Sequence, residues 1–292
     1  MLAVRTWKSI LEDRLFGHAA ELGFYFLFAL FPTLFCAGSL FGLAARSAHQ
    51  FYDQLLDYLA LVIPTSALGT VLNTFNQTAA AASTGKITFG SIAAVWSASV
   101  GISALQDTLN DVFKIEDSRS YIIARIYAIG LTIVLTVVVS AALGCIFAGD
   151  VTGKLVYRHF SDHLLDLAVS VGARVVAGLV ALAFLVLSFA MIYYWAPDWR
   201  KRRWRWFTPG AMIGILGWLV ASLALRLYLH FFNNYSLTYG SLGAVIILLT
   251  WFYITGLMLL VGAEINGEIE AAGAERRLAL RGRHGAGRQP TP

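Results

Sequence analysis

Six apolar blocks, each over about 20 residues long, divide the chain: Ala19 to Gly42, Ser91 to Phe113, Tyr121 to Ala148, Ala168 to Trp195, Pro209 to Phe232 and Gly240 to Ala263. Blocks of that length can cross the hydrocarbon of a bilayer as helices, because only a helix satisfies its own backbone groups there. The second block is the least apolar, since Gln106, Asp107, Asn110 and Asp111 interrupt it.

Between the blocks the periodicity is that of surface helices. Trp7, Ile10, Leu11 and Leu15 recur at helical spacing and predict a short amphipathic helix on the inner membrane surface. In the long connection from Leu43 to Gly90, Phe51, Leu55, Tyr58, Leu59 and Val62 form one stripe. Leu68, Val71, Leu72 and Phe75 form another after Pro64. They predict two amphipathic helices on the outer face, followed by the polar connector QTAAAASTGK. The fold class is therefore all-α: a polytopic bundle of six transmembrane helices over residues 1–272, with a basic, disordered cytoplasmic tail over 273–292 that ends RGRHGAGRQPTP.

Composition agrees, with 58% hydrophobic and 13% charged residues and a mean hydropathy of +0.67. A formal charge of +5 would suggest nucleic acid in a soluble chain, but in a membrane protein Lys and Arg first report topology. With both termini inside, the inner segments carry 15 Lys and Arg and the outer segments 4. Removing the second span would scramble this alternation. Cys36 and Cys145 both lie in apolar blocks, which favours buried thiols over a disulfide or a metal site.

The densest charge run is WRKRRWRWF, Trp199 to Phe207. Interleaved aromatics and arginines occur in single-strand nucleic-acid binders. An inner loop with Trp at headgroup depth and Arg200, Lys201, Arg202, Arg203 and Arg205 on anionic lipid explains the same residues more simply, and no nucleic-acid partner is expected. His159 and His163, with Asp162 and Asp166, have i, i+4 metal spacing, but one pair is too few ligands and no metal or other cofactor is expected. There is no P-loop, GxSxG or dinucleotide turn, so no catalytic residues are assigned.

Ionisable groups within or at the ends of the spans carry more information, because intramembrane charge is normally paired or faces a cavity. The topology puts Glu21, Gln106, Asp107, Asn110, Asp111, Arg125, Glu264 and Asn266 in the inner leaflet, and Arg174 and Arg226 near the outer one. Asp107, Asn110 and Asp111 share a helix face, as do Glu264 and Glu268. These residues are candidates for a substrate or ion pathway, against a plainer reading as snorkelling ends and structural salt bridges. Pro32 falls about 16 Å along the axis from Glu21, near the midplane, where it would kink the first span as a hinge or only give it shape.

The segments AAELGFYFLFALFPTLF, WSASVGISALQDTLNDVF and YGSLGAVIILLTWFYITGLMLLVGAEINGEIE resemble the YihY/BrkB family of bacterial inner-membrane proteins over roughly residues 5–272. The matching features are the entry Tyr239-Gly240-Ser241-Leu242-Gly243 and the exit Gly262-Ala263-Glu264-Ile265-Asn266. Glu21 departs from the small residue often found there. The resemblance implies six spans in the cytoplasmic membrane. Its inherited names are ribonuclease BN and a virulence factor linked to serum resistance, and lipid or amphiphile movement has been suspected for relatives. Three functions follow as alternatives. The first is a transporter or lipid translocator with an inner polar vestibule and an amphipathic or anionic substrate in contact with membrane lipids. The second is an assembly factor that docks a partner through residues 51–75, and the third is a tRNA-processing ribonuclease.

Overall fold

The computed structural model describes residues 2–44, 69, 72–73, 77, 84–157, 163–198, 208–231 and 241–286. The two outer amphipathic stripes lie almost wholly outside these residues, as do His159 and the 199–207 loop. Seven helices run through the described residues: α1 Leu2–Glu12, α2 Leu15–Ala44, α3 Thr84–Val112, α4 Tyr121–Tyr157, α5 His163–Trp195, α6 Pro209–Phe231 and α7 Ser241–Ala286. The last six are long and apolar enough to cross a membrane.

In contact order the spans form a ring, α2–α3–α4–α5–α6–α7 and back to α2, with the α5–α6 seam the loosest. Only 17–39% of each spanning window is buried. The exposed remainder, including Phe24, Phe28, Ile126, Val137, Leu179 and Val220, is the apolar surface that lipid covers. Helix α3 has the largest buried share, 39%. Its polar residues Gln106, Thr108 and Asn110 are buried along with Leu105 and Leu109, so they face protein rather than hydrocarbon. This is why the least hydropathic block still serves as a span.

Backbones approach closely where glycine removes the side chain, as in membrane helix pairs generally. On α6, a Cβ at Gly210 would sit 2.6 Å from Asn266 Cγ, and one at Gly214 would sit 2.9 Å from Met258 O. On α7, a Cβ at Gly262 would sit 2.5 Å from the Tyr193 hydroxyl. That hydroxyl donates to Leu259 O at 2.6 Å. Helices α5, α6 and α7 are thereby locked together at one end. Further along, α5 and α6 separate around an apolar groove of 580 Å³ lined by residues such as Leu182, Leu187, Met212 and Leu216.

Three details differ from the sequence expectation. The N-terminal apolar stripe splits: Ile10 on α1 and Leu15 at the start of α2 are buried, whereas Trp7 and Leu11 are exposed beside Val4. Its inner face packs on an extension of α7, which continues to Ala286 where disorder was expected from residue 273. Strong helix formers such as those in AERRLALR support that extension, and α1 docks on it through Ser9–Glu268 at 2.6 Å and Arg5–Glu275 at 3.3 Å. Cys145 is exposed on α4, where buried thiols were expected.

Candidate functional site

The charged residues gather at one end of the bundle, where the α1–α2 elbow meets the end of α3. The elbow turns at Arg14, which has φ 51°, and Gly17 N–H donates to Arg14 O at 2.8 Å as α2 starts. Helix α3 closes in a Schellman motif: Ile115 N–H reaches Asn110 O at 2.8 Å and Lys114 N–H reaches Asp111 O at 3.1 Å. Lys114 occupies the left-handed position of that motif, φ 54°, where glycine is the usual residue. Its ammonium forms an ion pair with Asp13 across the gap. Elbow and cap border an open, cleft-like cavity of 490 Å³ lined by Glu12, Asp13, Arg14, His18, Asn110, Asp111, Lys114, Ile115 and Glu116. Two cations and four carboxylates thus face a space of ligand size.

Beside the cavity the α3–α4 connection is braced to the end of α5. Arg119 donates to both carboxylate oxygens of Asp117, at 3.0 and 2.8 Å, and to Ala196 O at 3.3 Å. Asn110, which is buried, donates to Asp117 at 3.0 Å and accepts from Asp198 N–H at 2.9 Å. Asp198 in turn accepts from the Ser118 amide and hydroxyl at 2.9 and 2.7 Å. The Arg119 guanidinium holds the Asp117 carboxyl below the usual carboxylate range.

On α7, Glu264 is only 2% exposed, with Oε2 lacking a hydrogen-bond partner. Asp13, Lys114 and Glu268 are the charges acting on it, and the Ser9 hydroxyl lies within bonding reach. Two residues on, Asn266 does something else. Its Oδ1 accepts from Gly210 N–H at 2.9 Å, and its Nδ2 donates to Thr208 Oγ1 at 3.0 Å. Thr208 accepts from Ala211 N–H at 3.2 Å as the N-cap of α6, with Pro209 at the first helical position. Asn266 therefore completes a helix cap from a neighbouring helix.

The inner-leaflet candidates consequently divide. Asn110 and Asp111 line the cavity. Asp107 adjoins it, within electrostatic reach of Asp111, Asp117, Arg119 and Glu21. Glu21 is half exposed and lies 3.7 Å from the cavity-lining His18. Gln106 is buried in the bundle with Nε2 unpartnered. Arg125 does not join the cluster: it donates to Ser103 Oγ at 3.1 Å, Ser99 O at 3.3 Å and Trp96 O at 3.4 Å, and stacks 4.5 Å over the Trp96 ring. It fastens α4 to α3. Arg226 is exposed on α6, Arg174 lies in α5, and Pro32 sits inside α2, which continues through it to Ala44. Arg200, Lys201, Arg202, Arg203 and Arg205 lie outside the described residues. Sequence reasoning missed Asp13, Arg14, Lys114, Asp117, Arg119 and Asp198. The lysine and arginines had been read only as topology signals, and the only further hint was that the connections hold acids beside those bases.

Fold and site together define a multi-pass membrane helix bundle with a charged cavity at one end. Residues 6–284 match the family model described as "Virulence factor BrkB", and the chain belongs to this YihY/BrkB family of membrane proteins. It is 36% identical over 250 residues to the ribonuclease-like protein YfkH of Bacillus subtilis (strain 168), covering 85% of this chain and 87% of that protein. It is 26% identical over 268 residues to a UPF0761 membrane protein of Xanthomonas oryzae pv. oryzae (strain PXO99A), and equally to UPF0761 membrane protein XAC0937 of Xanthomonas axonopodis pv. citri (strain 306). Each of these matches covers 91% of this chain but 60% of the relative. No solved structure matches the chain significantly.

Proposed function

We propose that this protein moves a lipid or another amphipathic molecule between the leaflets of the bacterial cytoplasmic membrane, with the charged cavity as its cytoplasmic vestibule. The observation that carries this reading is the 490 Å³ cavity itself, built from the elbow between α1 and α2 and the end of a span. The Lys and Arg asymmetry supports placing this end, and both termini, in the cytoplasm. The apolar groove between α5 and α6 opens on the same bilayer and suits an acyl chain. Membrane lipids are the natural partners, and the acidic balance of the lining favours a substrate whose polar end is not purely anionic.

The ribonuclease-like label of the Bacillus relative raises hydrolysis as a rival. Among the described residues, no group of three or more His, Cys, Asp or Glu side chains could hold a metal ion. Nothing specific favours that rival.

Proteoliposomes carrying phosphatidylethanolamine labelled on its headgroup test the proposal. Dithionite added outside should bleach well over half of the label when the protein is present, and about half in protein-free vesicles, because only exchange between leaflets exposes the inner pool. Asp111→Asn and Arg14→Gln should slow the exchange. Equal bleaching with and without protein, for this lipid and for phosphatidylglycerol, would refute lipid movement.

A further inference from the structure

A second pocket, of 400 Å³, opens where α4 begins and α5 ends, and it shares no lining residue with the charged cavity. Ile123 and Tyr127 of α4, Tyr194 and Trp195 of α5, and Arg119 and Asp198 of the adjoining connections line it. That volume is within the range of small-ligand sites. Its charges do not balance. Among the described residues, Arg119 is committed to Asp117 by bonds of 3.0 and 2.8 Å, and its Nε reaches Asp198 Oδ1 only at 3.8 Å. One guanidinium thus serves two carboxylates. Asp198 Oδ2 accepts from the Ser118 amide and hydroxyl, while Oδ1 accepts no hydrogen bond among the described residues. The Asp198 side chain is only 16% exposed, so little water screens the surplus negative charge.

The walls suit a cation as well. Aromatic rings attract ammonium groups, and Tyr127, Tyr194 and Trp195 stand beside the carboxylate, the last two with ring centroids 6.4 Å apart. Asp198 is also fixed in advance. Besides its two bonds from Ser118, its own N–H donates to Asn110 Oδ1 at 2.9 Å, so a ligand need not order it. The pocket adjoins the surface that lipid covers: the spanning parts of α4 and α5 start at Tyr121 and stop at Trp195, and Ile123, Tyr127 and Trp195 are exposed. Exposed Tyr and Trp at span ends sit at the level of lipid headgroups.

We propose that this pocket binds the ammonium end of a phospholipid headgroup of the ethanolamine type. Asp198 is the counter-ion, and Tyr127, Tyr194 and Trp195 are the walls. The acyl chains of the same lipid lie along the exposed apolar surface of α4. This site does not depend on lipid movement, since it retains a headgroup whether or not lipid crosses the bilayer.

Native mass spectrometry of the full chain in maltoside detergent tests the site by titration with dioleoylphosphatidylethanolamine and, separately, with dioleoylphosphatidylethanol. The two lipids share phosphate and chains, and only the first carries an ammonium. The parent should bind the ethanolamine lipid about tenfold more tightly, the effect of one charge-assisted hydrogen bond. Asp198→Asn should abolish that preference, and Trp195→Leu should reduce it about two- to fivefold. Asp111→Asn, in the charged cavity, should keep it. Equal affinity for the two lipids in the parent, or an intact preference in Asp198→Asn, overturns the site. Loss of the preference in Asp111→Asn instead would assign it to the charged cavity and overturn the site equally. Glycerophosphoethanolamine, the same headgroup without chains, should displace the lipid only in large excess; displacement at equal concentration would overturn the lipid assignment. If Asp198→Asn does not fold, a full preference that survives in both Tyr127→Leu and Trp195→Leu overturns the site. Binding is read without transport, so this site and lipid exchange stand or fall separately.

Discussion

Replacing Gly210 by alanine tests how the polar end is assembled, since the close approach of α6 to α7 positions both Thr208 and Asn266. An added Cβ would lie 2.6 Å from Asn266 Cγ and 2.7 Å from Asn266 Oδ1, besides overlapping Gly262 O. Carbon atoms prefer about 3.5–4.0 Å, so the helices must separate by about 1 Å. The obstacle includes backbone, which cannot rotate away. Separation also weakens the bonds of Asn266 to Gly210 N–H and Thr208 Oγ1, each contributing about 1 kcal/mol. Overpacking adds about 1–3 kcal/mol, and the better helix propensity of alanine returns about 1 kcal/mol. The net expectation is destabilisation by about 2–4 kcal/mol. Thermal unfolding of the detergent-solubilised protein, followed by intrinsic tryptophan fluorescence, reads this directly. Two controls separate packing from propensity. At Gly217 the obstacle is the Met258 thioether at 2.8 Å, which can move, so Gly217→Ala should be nearly neutral. Gly178 has nothing within 4 Å, and Gly178→Ala should raise the midpoint. Should Gly210→Ala melt with or above the parent while Gly178→Ala melts below it, the close α6–α7 approach is wrong.

Asn266→Ala leaves Gly210 N–H without its acceptor and should cost about 1–3 kcal/mol in the same melt; an unchanged midpoint would remove Asn266 from the α6 cap. Arg125→Ala should destabilise by about 2–4 kcal/mol through loss of its three acceptors and the Trp96 stack, and Arg125→Lys should rescue little, because an ammonium cannot fork among them. Full rescue by lysine would mean that charge alone matters. Asp117 is held below its ordinary value of 3.8, first by its bond from Arg119, so its contribution is fully present above pH 3.8 and fades as pH falls through the lowered value. Melts between about pH 6 and 2 should therefore show an acid limb that is flatter in Asp117→Asn, and identical limbs would contradict the brace.

Much of the membrane domain was readable because hydrocarbon admits few backbone solutions. The block 91–113 shows where that reading stops. Its polar residues made it look marginal, yet Gln106, Thr108 and Asn110 turn toward neighbouring helices, a choice that periodicity alone could not assign to protein rather than lipid. The residues grouped by topology do not all meet in the fold. Arg125 and Asn266 were grouped with Asp111 and yet close helix contacts elsewhere, because position along a span follows from residue count whereas rotation about the axis follows from packing. Asp13 and Lys114 are about 100 residues apart and in connections, so no local pattern joined them.

The sequence by itself determined the number of spans, since that follows from block length. Only the tertiary structure decided which charges meet. The ring order of the helices, the glycine contacts that bring α6 onto α7, and the left-handed turns at Arg14 and Lys114 bring Asp13 of the elbow onto Lys114 at the end of α3. Those relations depend on distance across the bundle, and the order of residues along the chain carries depth but not distance.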